Sequence, residues 1–323
     1  MIEDLKDNRG VALILTISII GLIVILTLQF NNSMRTELYA AMHLHNGIGL
    51  KYIARSGFNC AIAALHEDDS AVDSFNDTWA SLKEYSSYSS AFFENGAFEV
   101  DVIDLAGKIS INQLVDREGN YNTQQKDLLL RLLTSTEINI EMDEAVDILD
   151  AVKDWIDEDN EVTRFGAEDS FYQGLDTPYY CRNSHLESLD ELLLIKGITR
   201  ELFYGTEENP GISSYLTIYG DGRVNINTAD PLVLKSLSVD MDMEMIEEIM
   251  AYREDDKNDL TNTSWYKTAL GTNEDIVELE LITTKSSYFE IISIAVKDSI
   301  SRENRGVVMR DGKSIAHLSW ETL

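Results

Sequence analysis

Arg9-Gly10 followed by VALILTISIIGLIVILTLQF, Val11 to Phe30, is the stretch that decides what kind of protein the rest of this chain must be. Its 20 apolar-run residues carry no charge, and as a helix they suffice to cross a hydrocarbon core of about 30 Å. In front lie ten residues, MIEDLKDNRG, strongly polar and closed by Gly10. A secretory signal has a shorter apolar stretch and a small-x-small cleavage site behind it, and no such site follows Phe30, so any cut lies before the apolar run. Lys6 and Arg9 precede the segment while Arg35, Lys51 and Arg55 follow it, which leaves loop charge little say in its orientation. Outward from the run, Leu38, Ala41, Met42, Ile48, Tyr52 and Ile62 keep roughly helical spacing to about Leu65. One helix over 11–66 is expected, half in lipid (11–30) and half along a soluble body. Gly47, Gly49 and Gly57 fall inside it, each costing up to about 1 kcal/mol relative to Ala.

The whole chain has 323 residues, with 57 acidic against 26 basic side chains, for a net charge of −31. Phosphate backbones are held by Lys and Arg and would be repelled by such a surface, so nucleic-acid binding is excluded as its main purpose. With 44% hydrophobic residues and only 3 prolines the chain can bury a core. Two cysteines, Cys60 and Cys181, rule out a fold built on a disulfide framework.

Beyond a Ser- and Asp-rich connection over 68–90, the run Phe98 to Ile103 alternates apolar and acidic residues, and Lys108 to Ile111 follows a short turn. This predicts a hairpin. Near the C-terminus, Tyr288 to Val296 reads as a strand, and Asp311-Gly312 is a strong turn signal between Gly306–Arg310 and Lys313–Ser319. Between these strand-rich ends lie segments of helical spacing: Gln124–Leu133, Met142–Ile156 and Met243–Tyr252. Ser188 and Glu191 form a capping box for a further helix to Ile195, and Pro231 suits the first turn of another. The expected organisation is a leader at 1–10, sheet segments at 97–111 and 286–323, and two helical modules at 112–219 and 220–285.

The segment DWIDEDNEVTRFGAEDSFY sets Asp154, Asp157, Asp159, Glu161, Glu168 and Asp169 within sixteen residues. Carboxylates so close repel one another unless a cation or solvent screens them. With Asp157 as position one of a calcium loop, Asp159 falls at three, Glu161 at five, Thr163 at seven and Glu168 at twelve. Position six is Val162 where an EF-hand needs Gly, so a loop of different backbone shape is implied. A solvated charge run is the other reading of the same spacing.

A short polar leader ending in Gly, an apolar helix starting directly after it and an amphipathic continuation resemble the type IV prepilins and type II secretion pseudopilins. The resemblance implies that a prepilin peptidase cuts between Gly10 and Val11 and methylates the new amino terminus. That family usually has Phe or Met where Val11 stands, and a leader without the acids Glu3, Asp4 and Asp7. Most members carry Glu at the fifth mature position; here the fifth residue is Leu15, and an isolated carboxylate in hydrocarbon is costly unless paired. A subunit that docks on nothing ahead of it needs no such group. The missing glutamate, the size and the helical insert are similar to the minor pseudopilin protein K family of type II secretion systems. So are Asp154-Trp155, Asp157, Asp159, Gly166-Ala167-Glu168-Asp169, Tyr172, Pro178-Tyr179, Asn183 and Leu189-Asp190-Glu191-Leu192, against a family pattern of DWxDxD, GAEDxxY, PPY, Asn and LDEL.

The resemblance implies an α+β, type IV pilin-like fold, a long N-terminal helix on a small antiparallel sheet, enlarged by an all-α insertion of SAM-like or helix-hairpin-helix-like character. It implies structural Ca2+ in the insert, for which Asp157, Asp159, Glu168 and Asp169 are the preferred ligands and Asp154 and Glu161 the reserves. It also implies an inner-membrane anchor with a periplasmic body, and a tip complex with minor pseudopilins I and J that starts or caps the pseudopilus. Val224 to Ala229 and Leu194 to Thr199 look like parts of helix-hairpin-helix modules, but only Lys196 and Arg200 accompany the Gly197 hairpin, so packing of the insert is the better reading. The histidines His43, His45, His66, His185 and His317 form no catalytic signature, and no phosphate or dinucleotide loop is present. Two rival readings share parts of this pattern: a minor pilin of a type IV pilus, and a membrane-anchored metal-dependent enzyme that keeps Met1.

Overall fold

The fold is that of a computed structural model and is described for residues 8–68, 71–94 and 96–323. Most of the expected leader, residues 1–7, therefore lies outside the described residues. Helix α1 spans Asn8–Glu67 in 60 residues, about 90 Å at 1.5 Å per residue. From Gly10 to His45 its side chains are exposed, the whole apolar segment included. From Leu50 onward one face is buried: Leu50, Ile53, Ala54, Gly57, Phe58, Ala61 and Leu65 repeat at three- and four-residue steps. The stripe expected from the sequence is a different one, for Ile48 and Tyr52 stay exposed and Ile62 is half-buried. The reason lies in side-chain size. At Gly57 a Cβ would sit 2.7 Å from the Phe98 ring and closer still to Ser293 Oγ, so the sheet accepts the face whose small residues let the backbone approach.

The chain then passes through α2 (Leu82–Ser86) into β1 (Ala97–Asp104). A 3-10 turn over Leu105–Gly107 leads away to β2 (Ile109–Ser110). Next come α3 (Thr123–Leu133), α4 (Met142–Ile156), α5 (Asp169–Tyr172), a 3-10 helix over Leu189–Leu194, and α6 (Arg200–Tyr204). Short strands β3 (Leu216–Thr217) and β4 (Val224–Asn225) precede α7 (Pro231–Ser236), α8 (Met243–Glu254) and α9 (Trp265–Ala269). The chain returns through β5 (Ile282–Thr283) to β6 (Tyr288–Lys297), β7 (Ile300–Asp311), β8 (Ser314–His317) and β9 (Glu321–Thr322).

The main sheet is antiparallel in the order β1-β6-β7-β8, with β9 also paired to β7. The expected hairpin between Phe98–Ile103 and Lys108–Ile111 does not form. β1 pairs with β6, and Ile109-Ser110 pairs in parallel with Leu216-Thr217. The turn is held by Asp104, whose Oδ1 accepts the Ala106 amide at 2.8 Å, and Ile109 and Ile111 pack into the helical core. The sheet segment thus ends at Asp104, short of 111. At the other end, Asp311 pairs with Ser314, so the two-residue loop is Gly312-Lys313, one position later than Asp311-Gly312, with Gly312 at φ +57°.

The predicted helices at 124–133, 142–156 and 243–252 match α3, α4 and α8, and Pro231 opens α7. The capping box of Ser188 and Glu191 is present, although the helix it starts is 3-10. The two helical modules share one apolar core from Ile109 to Ile282. A separate core joins Phe58, Ala61, Leu65, Trp79, Val100, Val102, Phe289, Ile291 and Val308 where α1 crosses the sheet.

Candidate metal centre

Helix α4 buries Ile148, Leu149, Val152 and Trp155 against the insert core, and this anchors three carboxylates along its last two turns. Asp150, Asp154 and Asp157 are all buried. Asp154 is committed to backbone: both its oxygens accept the Thr163 amide, at 3.0 and 3.1 Å. Gly166 packs flat beside it, because a Cβ there would fall 2.7 Å from Asp154 Cγ and 2.8 Å from the Asp150 carbonyl oxygen. Lys196 Nζ closes the same loop by donating to the carbonyls of Phe165 (2.7 Å) and Gly166 (3.1 Å). The lysine of the hairpin-like motif is therefore used inside the insert. Beneath the loop, the rings of Trp155, Tyr172 and Tyr179 pack with centroids 5.1 and 5.2 Å apart.

On this base, one carboxylate oxygen each from Asp157, Asp159 and Glu168 lie within 4.8 Å of one another. Asp157 Oδ2 takes the ammonium of Lys153, which also donates to Thr163 Oγ1 at 3.0 Å, and Asp157 Oδ1 is left buried without a partner among the described residues. Glu168 is 2% exposed, and neither of its oxygens meets an N–H or O–H donor among the described residues, the Cys181 thiol being the weak donor beside them. Burial, reinforced by the charges of Asp154 and Asp157, pushes its carboxyl up to about 7. Burial also raises Asp157, against the pull of Lys153, and Asp154. Carboxyl oxygens buried without donors are costly, and a cation is the ordinary remedy. Every donor in the set is oxygen, which suits a hard divalent ion.

The six sequence candidates part company here. Asp157, Asp159 and Glu168 converge. Asp169 does not belong to that trio: its Oδ1 accepts the Cys181 amide at 2.7 Å. Asp154 serves the loop, and Glu161 is exposed, its amide donating to Asp159 Oδ1 at 2.7 Å. The loop departs from an EF-hand as expected, with the left-handed residue at Arg164 (φ 45°) and not at Val162. Asn183 is the residue the spacing argument left out. It holds φ 48°, its Nδ2 donates to the Asp159 carbonyl, and its Oδ1 is buried without a partner among the described residues. Non-glycine residues rarely adopt such a φ, and Asn is among those that do, so the only signal in sequence was its place in a family pattern.

The same region is what known proteins share. A family profile described as "Type II secretion system (T2SS), protein K" matches residues 107–206, which contain the whole acidic loop and Asn183. Over that span the chain is similar to protein K of type II secretion systems. Protein K of the type II secretion system of Aeromonas hydrophila is 25% identical over 246 residues, 70% of this chain and 69% of that one. The Pectobacterium carotovorum subsp. carotovorum protein K is 36% identical over 117 residues, 33% of this chain and 35% of its own. Among solved structures, a chain in the crystal structure of the GspK-GspI-GspJ complex from the enterotoxigenic Escherichia coli type 2 secretion system superposes with a TM-score of 0.58. It is 18% identical, and the match covers 90% of this chain and 98% of that chain, so the two have one fold. The α+β architecture, a long N-terminal helix on an antiparallel sheet enlarged by a helical insert, follows from the topology above and from that shared fold.

Proposed function

We propose that this protein is the minor pseudopilin at the tip of a type II secretion pseudopilus, where it starts or caps assembly together with minor pseudopilins I and J. The observation that carries the reading is α1. Its apolar segment stands free of the body and its fifth residue after Gly10 is Leu15, exposed and without the carboxylate that would pair with a subunit ahead. The exposed Ile48 and Tyr52, turned away from the sheet, supply a face for neighbouring helices in the pseudopilus. The match of residues 107–206 to protein K and the similarity to protein K relatives support the same role, as does the likeness to a chain of a complex that contains GspI and GspJ. The anchor sits in the inner membrane, the acidic body faces the periplasm, and a prepilin peptidase removes residues 1–10 and methylates Val11. No catalytic step is assigned to the chain.

In this reading the insert holds structural calcium through Asp157, Asp159 and Glu168, with Asn183 Oδ1 as a further oxygen. When bound, Ca2+ supplies the positive charge that the buried carboxylates lack. Mass spectrometry of the mature N-terminus tests the assembly role: a methylated amine on Val11 is expected, and Gly10→Val is expected to abolish processing and secretion together. Secretion that continues with an intact Met1 terminus overturns it.

A further inference from the structure

Residues 105–287 leave the pilin sheet after Asp104, the last residue of β1, and return just before Tyr288, the first of β6. The apolar cores on either side share no residue: one holds buried side chains from Ile109 to Ile282, the others only those of α1, its connection and the sheet. Besides the Tyr219–Tyr288 ring stack and Arg253 over the Phe75 ring, a buried polar knot joins the two bodies. Asp104 Oδ2 accepts from Asn225 Nδ2 (2.9 Å), Thr228 Oγ1 (2.5 Å) and Ser286 Oγ (2.6 Å), while its Oδ1 holds the Ala106 amide. Asp73, fully buried in the connection after α1, accepts the Ser286 amide at 2.7 Å and pairs with Arg310 of β7. The Asp73 carbonyl accepts from both Asn225 and Asn227, each at 3.1 Å. Asn227 in turn accepts from Trp265 Nε1 at 2.7 Å, inside the insert core.

We propose that this knot, built around Asp104 and the Asn225-Ile226-Asn227-Thr228 motif, is the joint that fixes the helical insert in one orientation on the pilin sheet. Apolar contact alone is non-directional and would let two bodies slide or hinge. Hydrogen bonds require particular distances and angles, and each buried group here loses its partner if the bodies rotate. Asp104 is the pivot because one carboxylate collects donors from both stems of the insert and from its β4–α7 corner. Its two buried oxygens are met by four donors, so removing one leaves a buried acceptor short of a partner. The motif that resembled a DNA-binding hairpin thereby acquires a mechanical role, in which load taken up by the insert passes to the sheet and to α1 as to a single rigid body.

The test uses the full chain in detergent micelles with millimolar calcium, spin-labelled through Glu99→Cys on β1 and Glu201→Cys on α6, both exposed positions, in a Cys60→Ala background. Pulsed dipolar spectroscopy is expected to give one narrow distance distribution, and Thr228→Val to widen it. Hydrogen exchange on the same samples is expected to quicken about ten- to a hundredfold at the Ala106, Ile226 and Ser286 amides, with α3, α4 and the centre of β6 as protected as before. Asp104→Ala should widen the distribution further. If that variant loses its fold, Thr228→Val decides. A broad distribution in the unaltered joint, an unchanged one in Thr228→Val, or protection lost across both cores at once in Thr228→Val overturns the proposal.

Discussion

Glu168→Gln separates a structural calcium site from a merely acidic loop. Glu168 is buried, has only the weak thiol donor of Cys181 beside it among the described residues, and burial pushes its carboxyl up to about 7. Replacing it with an uncharged amide of the same shape therefore costs the empty site little. With calcium the balance differs. A site with a dissociation constant near 10 µM, about the weak end of the range for calcium sensors, gains about 2.7 kcal/mol at 1 mM calcium. For an insert the size of residues 105–285, each kcal/mol moves the melting temperature about 2–4 °C, so the expected rise is about 5–10 °C. Loss of one negative ligand that weakens binding about a hundredfold leaves about 0.4 kcal/mol, a shift of about 1 °C. Differential scanning calorimetry of wild type and Glu168→Gln, each with EDTA and with calcium, reads all four states. An equal calcium shift in both proteins, or none in the wild type, refutes the assignment. A variant that melts well below wild type in EDTA refutes the claim that this carboxyl has no strong hydrogen-bond partner in the fold.

Because burial pushes the Glu168 carboxyl up to about 7 from 4.5, the fold favours its protonated form where no cation is bound. The corresponding stability is complete below pH 4.5 and is lost as pH rises through 7, so calcium binding below pH 7 releases a proton and strengthens with pH up to about 7. Calorimetric titrations in buffers of different ionisation heat count that proton, and a buffer-independent heat at pH 6 contradicts the assignment. Gly57→Val places a branched side chain where even a Cβ meets Phe98 at 2.7 Å. It should cost about 1–3 kcal/mol by overpacking the α1–sheet contact, seen as a lower midpoint in urea, while Gly49→Ala, with open space around it, should not. Lys196→Met removes the donor to the Phe165 and Gly166 carbonyls and should lower stability by about 1–3 kcal/mol. Proteolysis between Asp157 and Glu168 should quicken in the same variant, and unchanged cleavage would count against the role assigned to Lys196.

The helices are legible where one periodic face and a local cap agree. Met142–Ile156 can be placed to the residue because its apolar repeat, its length and the change to DEDN after it all point the same way. Ser188 and Glu191 announce a cap correctly, but the choice of 3-10 over α winding leaves no local trace. The false hairpin at 98–111 comes from two apolar stretches near a turn. Alternation marks a strand without naming its partner, and β1 finds its partner in β6, 185 to 199 residues away. At the acidic loop, charge density locates the site, yet only folding separates Asp157, Asp159 and Glu168 from Asp154 and Asp169, which are engaged by backbone amides.

By itself the sequence determined the membrane segment, the long helix and the acidic loop, because each rests on interactions within a few turns of chain: hydropathy, periodicity and charge spacing. Tertiary structure decided which face of α1 meets the sheet, which carboxylates converge, and how the insert is held at Asp104. Those depend on close approach and hydrogen-bond geometry between segments far apart in sequence, where a single residue such as Gly57 or Asn225 is selected by what folding brings against it.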